Sequence, residues 1–328
     1  MKARGFLLVA AVAATVLSGA QALAQSKDGY PSRSVRLVVP NAPGGGSDFV
    51  ARIIQPHWQD QFGQTVVIDN RGGAAGNIGL EIVARATPDG YTLLIGSNTQ
   101  TINPSIYPKF PITPEQHLIP ITQMADVPGS LVVHPSLPVK NVKELIAHVK
   151  ANQGKLNYGS PSPSSANRLA MELFMRSTGT KMQHVPYKGG SGQMLVALVA
   201  NEVQVAFATF SSTVNFVKAD RLRMLGVIAP ERLAAMPDVP TMPELGFKDM
   251  KTGSWYAIFV AKGTPAPVVR RIFDVATKTM EHPDVLKRFA VAGTRVVVSR
   301  SPAEFAAFVK AETTTYAALI KDAGITAD

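Results

Sequence analysis

The residues with the chemistry to hold a ligand lie in four short loops. Residues 43–48 read Pro-Gly-Gly-Gly-Ser-Asp, 72–79 Gly-Gly-Ala-Ala-Gly-Asn-Ile-Gly, 159–165 Gly-Ser-Pro-Ser-Pro-Ser-Ser and 187–192 Tyr-Lys-Gly-Gly-Ser-Gly. In each, an extended apolar run ends in small residues and a helical pattern begins. Glycines at such a junction let backbone N–H groups approach a ligand closely, and a helix start adds partial positive charge, so the arrangement suits an anion.

Each loop also has a plainer explanation. Gly44, Gly45 and Gly46 could only make a tight strand-to-helix turn, although three glycines exceed what a turn needs. Gly76 and Gly79 could allow close helix packing. Ser160, Ser162, Ser164 and Ser165 could be helix N-caps, yet they also place hydroxyls beside a helix start. Tyr187 fits a pocket wall better than an acid or base. Arg168 falls three residues after Ser165, on the same helix face, where a guanidinium could fork a carboxylate; a solvated helical arginine is the ordinary alternative.

Signs of catalysis are absent from the sequence. The triple glycine lacks the Gly-Lys-Ser/Thr ending of a phosphate-binding P-loop, no strand is followed by G-x-G-x-x-G, and neither Ser47 nor Ser191 sits in a G-x-S-x-G elbow. His57, His117, His134, His148, His184 and His282 show no metal-ligand spacing. The 0 cysteines exclude disulfides, thiolate metal sites and a thiol nucleophile. No catalytic residue, metal or cofactor is expected.

The elements that must position the loops follow from the hydrophobic pattern. Strand-like runs at 35–39, 65–69, 92–95, 131–133, 182–186, 203–209, 223–228, 254–260 and 294–298 alternate with helical spacing at 47–61, 78–86, 142–151, 165–177, 191–200, 265–280 and 302–322. This predicts an α/β chain with largely parallel sheets, whose loops at the carboxyl ends of strands are the usual place for a ligand. Pro56 predicts a kink or early break in the first helix. Ser301-Pro302-Ala303-Glu304 predicts a capping box on the last. Two proline-rich stretches, 97–129 and 229–253, are too long for ordinary loops, and each is expected to lie where the chain crosses between two lobes. The lobes are expected at 25–126 plus 255–328 and at 127–254, with two of the four loops in each.

Lys2 and Arg4 precede an apolar stretch from Phe6 to Leu17 and then Ala22-Leu23-Ala24, the pattern of a secretory signal peptide cleaved near Ala24. Its apolar part is too short to span a bilayer. The 33 Lys and Arg against 23 Asp and Glu give a formal net charge of +10. Because those cations are scattered singly, with no basic run and no aromatic interleaving, nucleic acid is not an expected partner. Neither is stable membrane insertion.

Six segments in order carry a further resemblance: "YPSRSVRLVVPNAPGGGSD", "VVIDNRGGAAGNIG", "TPDGYTLLIGS", "HVPYKGGSGQMLVAL", "DVPTMPELG" and "WYAIFVAKGTPAPVV". Together, over the whole chain after the leader, they resemble the Bug-type extracytoplasmic solute receptors of tripartite tricarboxylate transporters. The resemblance implies a two-lobed periplasmic binding protein of the second sheet topology, closing on a small carboxylate in the cleft between its lobes and delivering it to a two-component membrane permease. It implies a carboxylate held by Ser160, Ser164, Ser165, Tyr187, Gly189 and Gly190, with ordered waters bridging to Asn41, Ala42, Pro43 and Gly44.

Three departures from the family pattern bear on the ligand. Asn41 stands where an aromatic is usual. The second loop carries Pro161, Pro163 and Arg168, which could take a second carboxylate. Ala208 replaces the usual aspartate, which points to a ligand without an amino group. A monomer is expected. The competing functions are an exported hydrolase or transferase that binds an anionic substrate on the glycine loops, and a ligand-presenting partner of a sensor kinase.

Overall fold

The computed structural model describes residues 29–187, 190–248, 250 and 253–326. The expected leader at 1–24 lies outside the described residues. The chain runs through β1 (Val35–Val39), β2 (Val66–Asn70), β3 (Thr92–Ser97) and β4 (Leu118–Val127), then β5 (Gly129–Val133), β6 (Asn157–Ser160), β7 (Gln183–Pro186), β8 (Val205–Thr209) and β9 (Arg223–Ile228), and finally β10 (Ser254–Ala261) and β11 (Arg295–Val296). These form two sheets, in the orders β11-β4-β10-β3-β1-β2 and β7-β6-β8-β5-β9. The chain therefore passes from one sheet to the other at Pro128 and returns between Ile228 and Ser254.

Both sheets are mixed, where the sequence pattern predicted largely parallel ones. β1 pairs in parallel with β2 and β3, and β6 with β7 and β8. β10 and β5, each carrying the chain into a new sheet, run antiparallel to both of their neighbours. A strand that arrives from the other lobe has no crossover helix to turn it round, so it inserts in the opposite sense.

Both faces of each sheet are covered, which explains why the strands read as continuous apolar runs rather than alternating ones. Val35, Leu37 and Val39 of β1 face Val50, Ile53, Ile54 and Trp58 of the Gly46–Phe62 helix, while Val38 points to the opposite cluster with Leu80, Phe305 and Val309. In the second sheet, Val205 and Phe207 pack with Met171 and Phe174, and Ala206 and Ala208 with Met194, Leu198 and Phe210.

Prolines hid part of this. The stretch 97–129 holds a helix, Asn98–Ile106, with Pro104 inside it, and the ten-residue β4. Pro120 of β4 lies opposite Phe259 at a register shift between Ile258 and Phe259, a bulge where a missing N–H costs no ladder bond. Pro56 likewise does not end the Gly46–Phe62 helix. Ser301 does cap the Pro302–Ala323 helix, accepting from Glu304 N–H, but the Glu304 carboxylate returns to Arg300 N–H rather than completing a capping box.

Candidate functional site

The four glycine and serine loops meet between the two sheets. A cavity of about 280 Å³ is walled by Pro40, Asn41 and Ala42, by Gly72 to Gly76, by Pro161, Ser162 and Pro163, and by Pro186, Tyr187 and Gly190, with Tyr107 closing one side. The rims touch across it. A Cβ built on Gly192 would lie 3.1 Å from Pro43 O, and one on Gly45 would lie 3.8 Å from both Cβ and Oγ of Ser191. Among the described residues no charged side chain lines this cavity.

In the first loop the three glycines have different reasons to be there. Gly44 has φ +88°, open to glycine and rarely to others. Gly45 is the N-cap of the helix and faces Ser191 across the cleft. Gly46 has no room for a side chain, since a Cβ there would fall 2.1 Å from the buried Tyr256 hydroxyl.

The positive end of that helix is already occupied. Asp48, 3% exposed, accepts hydrogen bonds from Gly44 N–H at 3.0 Å, Arg52 Nε at 2.8 Å and Asn70 Nδ2 at 3.0 Å. Burial alone would raise its pKa, but the bonds from Arg52, Gly44 and Asn70 outweigh it and hold the carboxyl below its ordinary value. Asn41 is held in turn, donating Nδ2 to Ser47 Oγ at 2.9 Å and accepting at its carbonyl from Asn70 at 3.1 Å. Pro43 and Gly44 sit beside the cavity, not in its wall.

The 72–79 loop makes a left-handed passage along the cavity. Gly73, Ala74, Ala75 and Gly76 have φ of 110°, 47°, 56° and 83° in succession. Two alanines thus adopt a conformation that costs a side-chain-bearing residue roughly 1–2 kcal/mol each. Gly79 permits close packing, because a Cβ there would fall 2.9 Å from Pro40 Cα.

In the second lobe the serines are buried behind the prolines. Ser160 Oγ donates to Ser162 O at 2.9 Å and shares a 2.7 Å hydrogen bond with His184 Nε2. Ser165 caps the Ala166–Thr178 helix by accepting from Arg168 N–H, and donates to Ser162 O. Ser164 Oγ is buried with no hydrogen-bond partner among the described residues. Tyr187 is half-buried in the wall; burial, and then the charge of Glu202, push its phenol up, so it stays a neutral hydroxyl. Gly190, at φ 78°, points its missing Cβ toward Asn41 Oδ1 at 4.0 Å. Gly189 lies outside the described residues.

Besides Pro43 and Gly44, five expected site residues are absent from the cavity wall: Ser160, Ser164 and Ser165 behind its prolines, and Ala208 and Arg168. Ala208 is 1% exposed within β8, its side chain in the core on one face of the second sheet and its carbonyl accepting from Ser130 Oγ. Arg168 is not a solvated helical arginine and does not line the cavity: it is 4% exposed, and its Nη1 donates to Pro163 O and Thr326 O. Helical spacing correctly put it beside Ser165, but a partner 158 residues away has no local signal. Trp255 belongs to the core, against Phe305 and Phe308, with Nε1 donating to Glu312. Tyr107 carries no sequence signal because it sits in "SIYPKFP", where prolines obscure any loop-to-helix pattern.

Comparison with known proteins agrees with this architecture. Residues 50–325 match the model of the tripartite tricarboxylate transporter family receptor. Protein BugT of Bordetella pertussis is 31% identical over 97% of both chains. The solved structure of periplasmic binding protein BugD superposes with a TM-score of 0.86 at 32% identity, covering 90% of this chain and 99% of that one. R. palustris Rpa4515, solved with adipate, gives 0.86 at 32% identity over 90% and 99%. The matched family is one of receptors rather than enzymes, and with the match spanning most of its length the chain belongs to the tripartite tricarboxylate transporter receptor family.

Proposed function

We propose that this protein works in the periplasm, where it captures a small carboxylate without an amino group in the cleft between its lobes and presents it to a two-component membrane permease. The observation that carries this is a cavity wall that, among the described residues, has no charged side chain. An anion there is held by backbone N–H groups and hydroxyls at fixed positions, and no carboxylate among the described residues lines the wall to receive an ammonium. The relative solved with adipate supports the same ligand class.

The ligand carboxylate docks on the second lobe. Asp48 already fills the anion-favouring end of the first helix, whereas the Ala166–Thr178 helix has no acidic residue in its first turn, and Ser164 Oγ, buried behind the cavity's prolines, has no hydrogen-bond partner among the described residues. Ser160 and Ser165 shape that loop through Ser162 O, Tyr187 and Gly190 form its neighbour, and Gly189 is a further proposed contact. Asn41, Ala42, Pro43 and Gly44 approach from the other side, taking the ligand through water. Lobes at 25–126 plus 255–328 and at 127–254 fit the two sheet crossings. Closure is a population shift, and its size is limited by the additional interaction energy available when both lobes touch the ligand.

A thermal-shift screen of unfolded and refolded protein tests this, with adipate, malate, citrate and benzoate against aspartate and glutamate as controls. A ligand at 100 times its Kd stabilises the native state by about 2.7 kcal/mol, a readily visible rise in Tm. The expected outcome is a shift with one or more of the acids and none with the amino acids. Stronger stabilisation by an amino acid overturns the amine-free ligand class, and no shift with any carboxylate overturns capture of these acids.

A further inference from the structure

Among the described residues Arg168 has partners in three parts of the fold. Its Nη1 donates to Pro163 O at 3.2 Å, in the cavity-lining loop, and to Thr326 O at 2.7 Å, in the segment that follows the last helix. Its Nε lies 3.6 Å from Glu172 Oε1. Glu172 in turn accepts from the Tyr158 hydroxyl at 2.6 Å, and Tyr158 belongs to β6, the strand that feeds the loop. A second cation of the same helix, Arg176, donates to Asp322 O at 2.9 Å.

The segment that Arg168 grips is anchored in the other lobe. The Pro302–Ala323 helix packs on β4 and on the Asn98–Ile106 helix, and Trp255 of β10 donates to its Glu312. Leu169, next to Arg168, packs with Ile320 and Ile325 and with Ile102 and Ile106 of the first lobe. A path of buried contacts thus joins the loop 161–165 to the first lobe without passing through either sheet crossing.

Building on the receptor function above, we propose that Arg168 is a positioning residue for ligand capture: it fixes the 161–165 loop and couples it to the segment 324–326, so that loop geometry and the relation of the lobes are set together. The guanidinium need not touch the ligand. A buried cation is costly unless its donors are met, so loss of Thr326 O forces it to seek another acceptor and releases the Pro163 carbonyl it shares. Lysine substitutes poorly, because an ammonium on a flexible stem does not reproduce a planar fork spanning two carbonyls and Glu172.

Hydrogen–deuterium exchange tests the coupling without any ligand. The full chain is compared with Arg168→Lys, Arg168→Ala, the chain ended after Gly324, and Arg168→Ala combined with that shortening. Each single change is expected to speed exchange at amides 162–168 by roughly tenfold or more while β1 and β3 are unchanged, and the combination to add little beyond either alone. Unchanged exchange at 162–168 in the shortened chain, or two effects that simply add, overturns the proposal; should Arg168→Ala not fold, Arg168→Lys and the shortened chain still decide it. Calorimetry with adipate, malate and citrate separates the two levels of the claim. Affinity equal to that of the unaltered chain in both Arg168→Lys and the shortened chain overturns the positioning role, whereas failure of the unaltered chain to bind any of the three, with the exchange result intact, removes the ligand reading and leaves the coupling standing.

Discussion

Asp48 occupies the place that an anionic ligand would otherwise claim in the first lobe. The glycine loop and helix start were legible in the sequence as an anion-suited junction, but the residue that uses it is four positions from Gly44 in the same chain. The serine in "GGGSD" carries no signal that its neighbour folds back on the loop. Because its native pKa is depressed, Asp48 contributes stability fully above its ordinary titration range, and the contribution is lost as pH falls through the native value. Asp48→Asn should therefore lower stability at pH 7 by about 1–2 kcal/mol, in line with losing a hydrogen-bonded charge. It should also flatten the decline in stability between pH 7 and pH 3. Urea denaturation of both proteins at the two pH values checks this, and equal pH dependence in the two would show that Asp48 does not carry it.

At the scale of the element, the left-handed run from Gly73 to Gly76 shows how a loop is built where the chain must pass close to β1 and still present its backbone to the cavity. The glycines were readable as turn or packing residues. The two alanines were not, since nothing in their type announces positive φ. Ala75→Gly removes an αL cost of roughly 1–2 kcal/mol but adds a backbone entropy cost of about 0.5–1 kcal/mol. The net expectation is a small stabilisation of about 0.5 kcal/mol. Ala75→Val places a β-branched residue at φ 56° and should destabilise by more than about 1 kcal/mol. Guanidinium denaturation of the pair checks the ordering, and Val at least as stable as Gly would contradict the strained backbone. The same gap between pattern and conformation concealed β4 and the Asn98–Ile106 helix. There, prolines at a bulge and within a helix imitate loop composition although the surrounding contacts supply what they lack.

For the whole molecule, the two-lobed division was legible because long proline-rich stretches interrupted an otherwise regular alternation. The antiparallel insertion of β5 and β10 was not, because apolar runs carry no direction. Where the two crossings pass each other they do so backbone against backbone. A Cβ on Gly253 would fall 2.0 Å from Val127 O and 2.7 Å from Gly129 N, closer than any side chain permits. Ser254 pairs with Val127 immediately alongside, so this contact lies where the chain passes between the two sheets in both directions. Gly253→Ala has to push the crossings apart, at a cost of about 1–3 kcal/mol typical of overpacking. In the closure proposed above, the displacement also moves the axis about which the lobes turn. In the proposed closure, ligand contacts on both rims depend on that axis; the rims lie close, since a Cβ built on Gly192 would fall 3.1 Å from Pro43 O. Small-angle scattering should therefore record a smaller change in radius of gyration on carboxylate binding in Gly253→Ala than in the unaltered protein, together with weaker binding. An equally large change with unchanged affinity would place the axis elsewhere, and the lobes would then have to turn about the contacts between the Ala166–Thr178 and Pro302–Ala323 helices, making that junction a pivot as well as a tie.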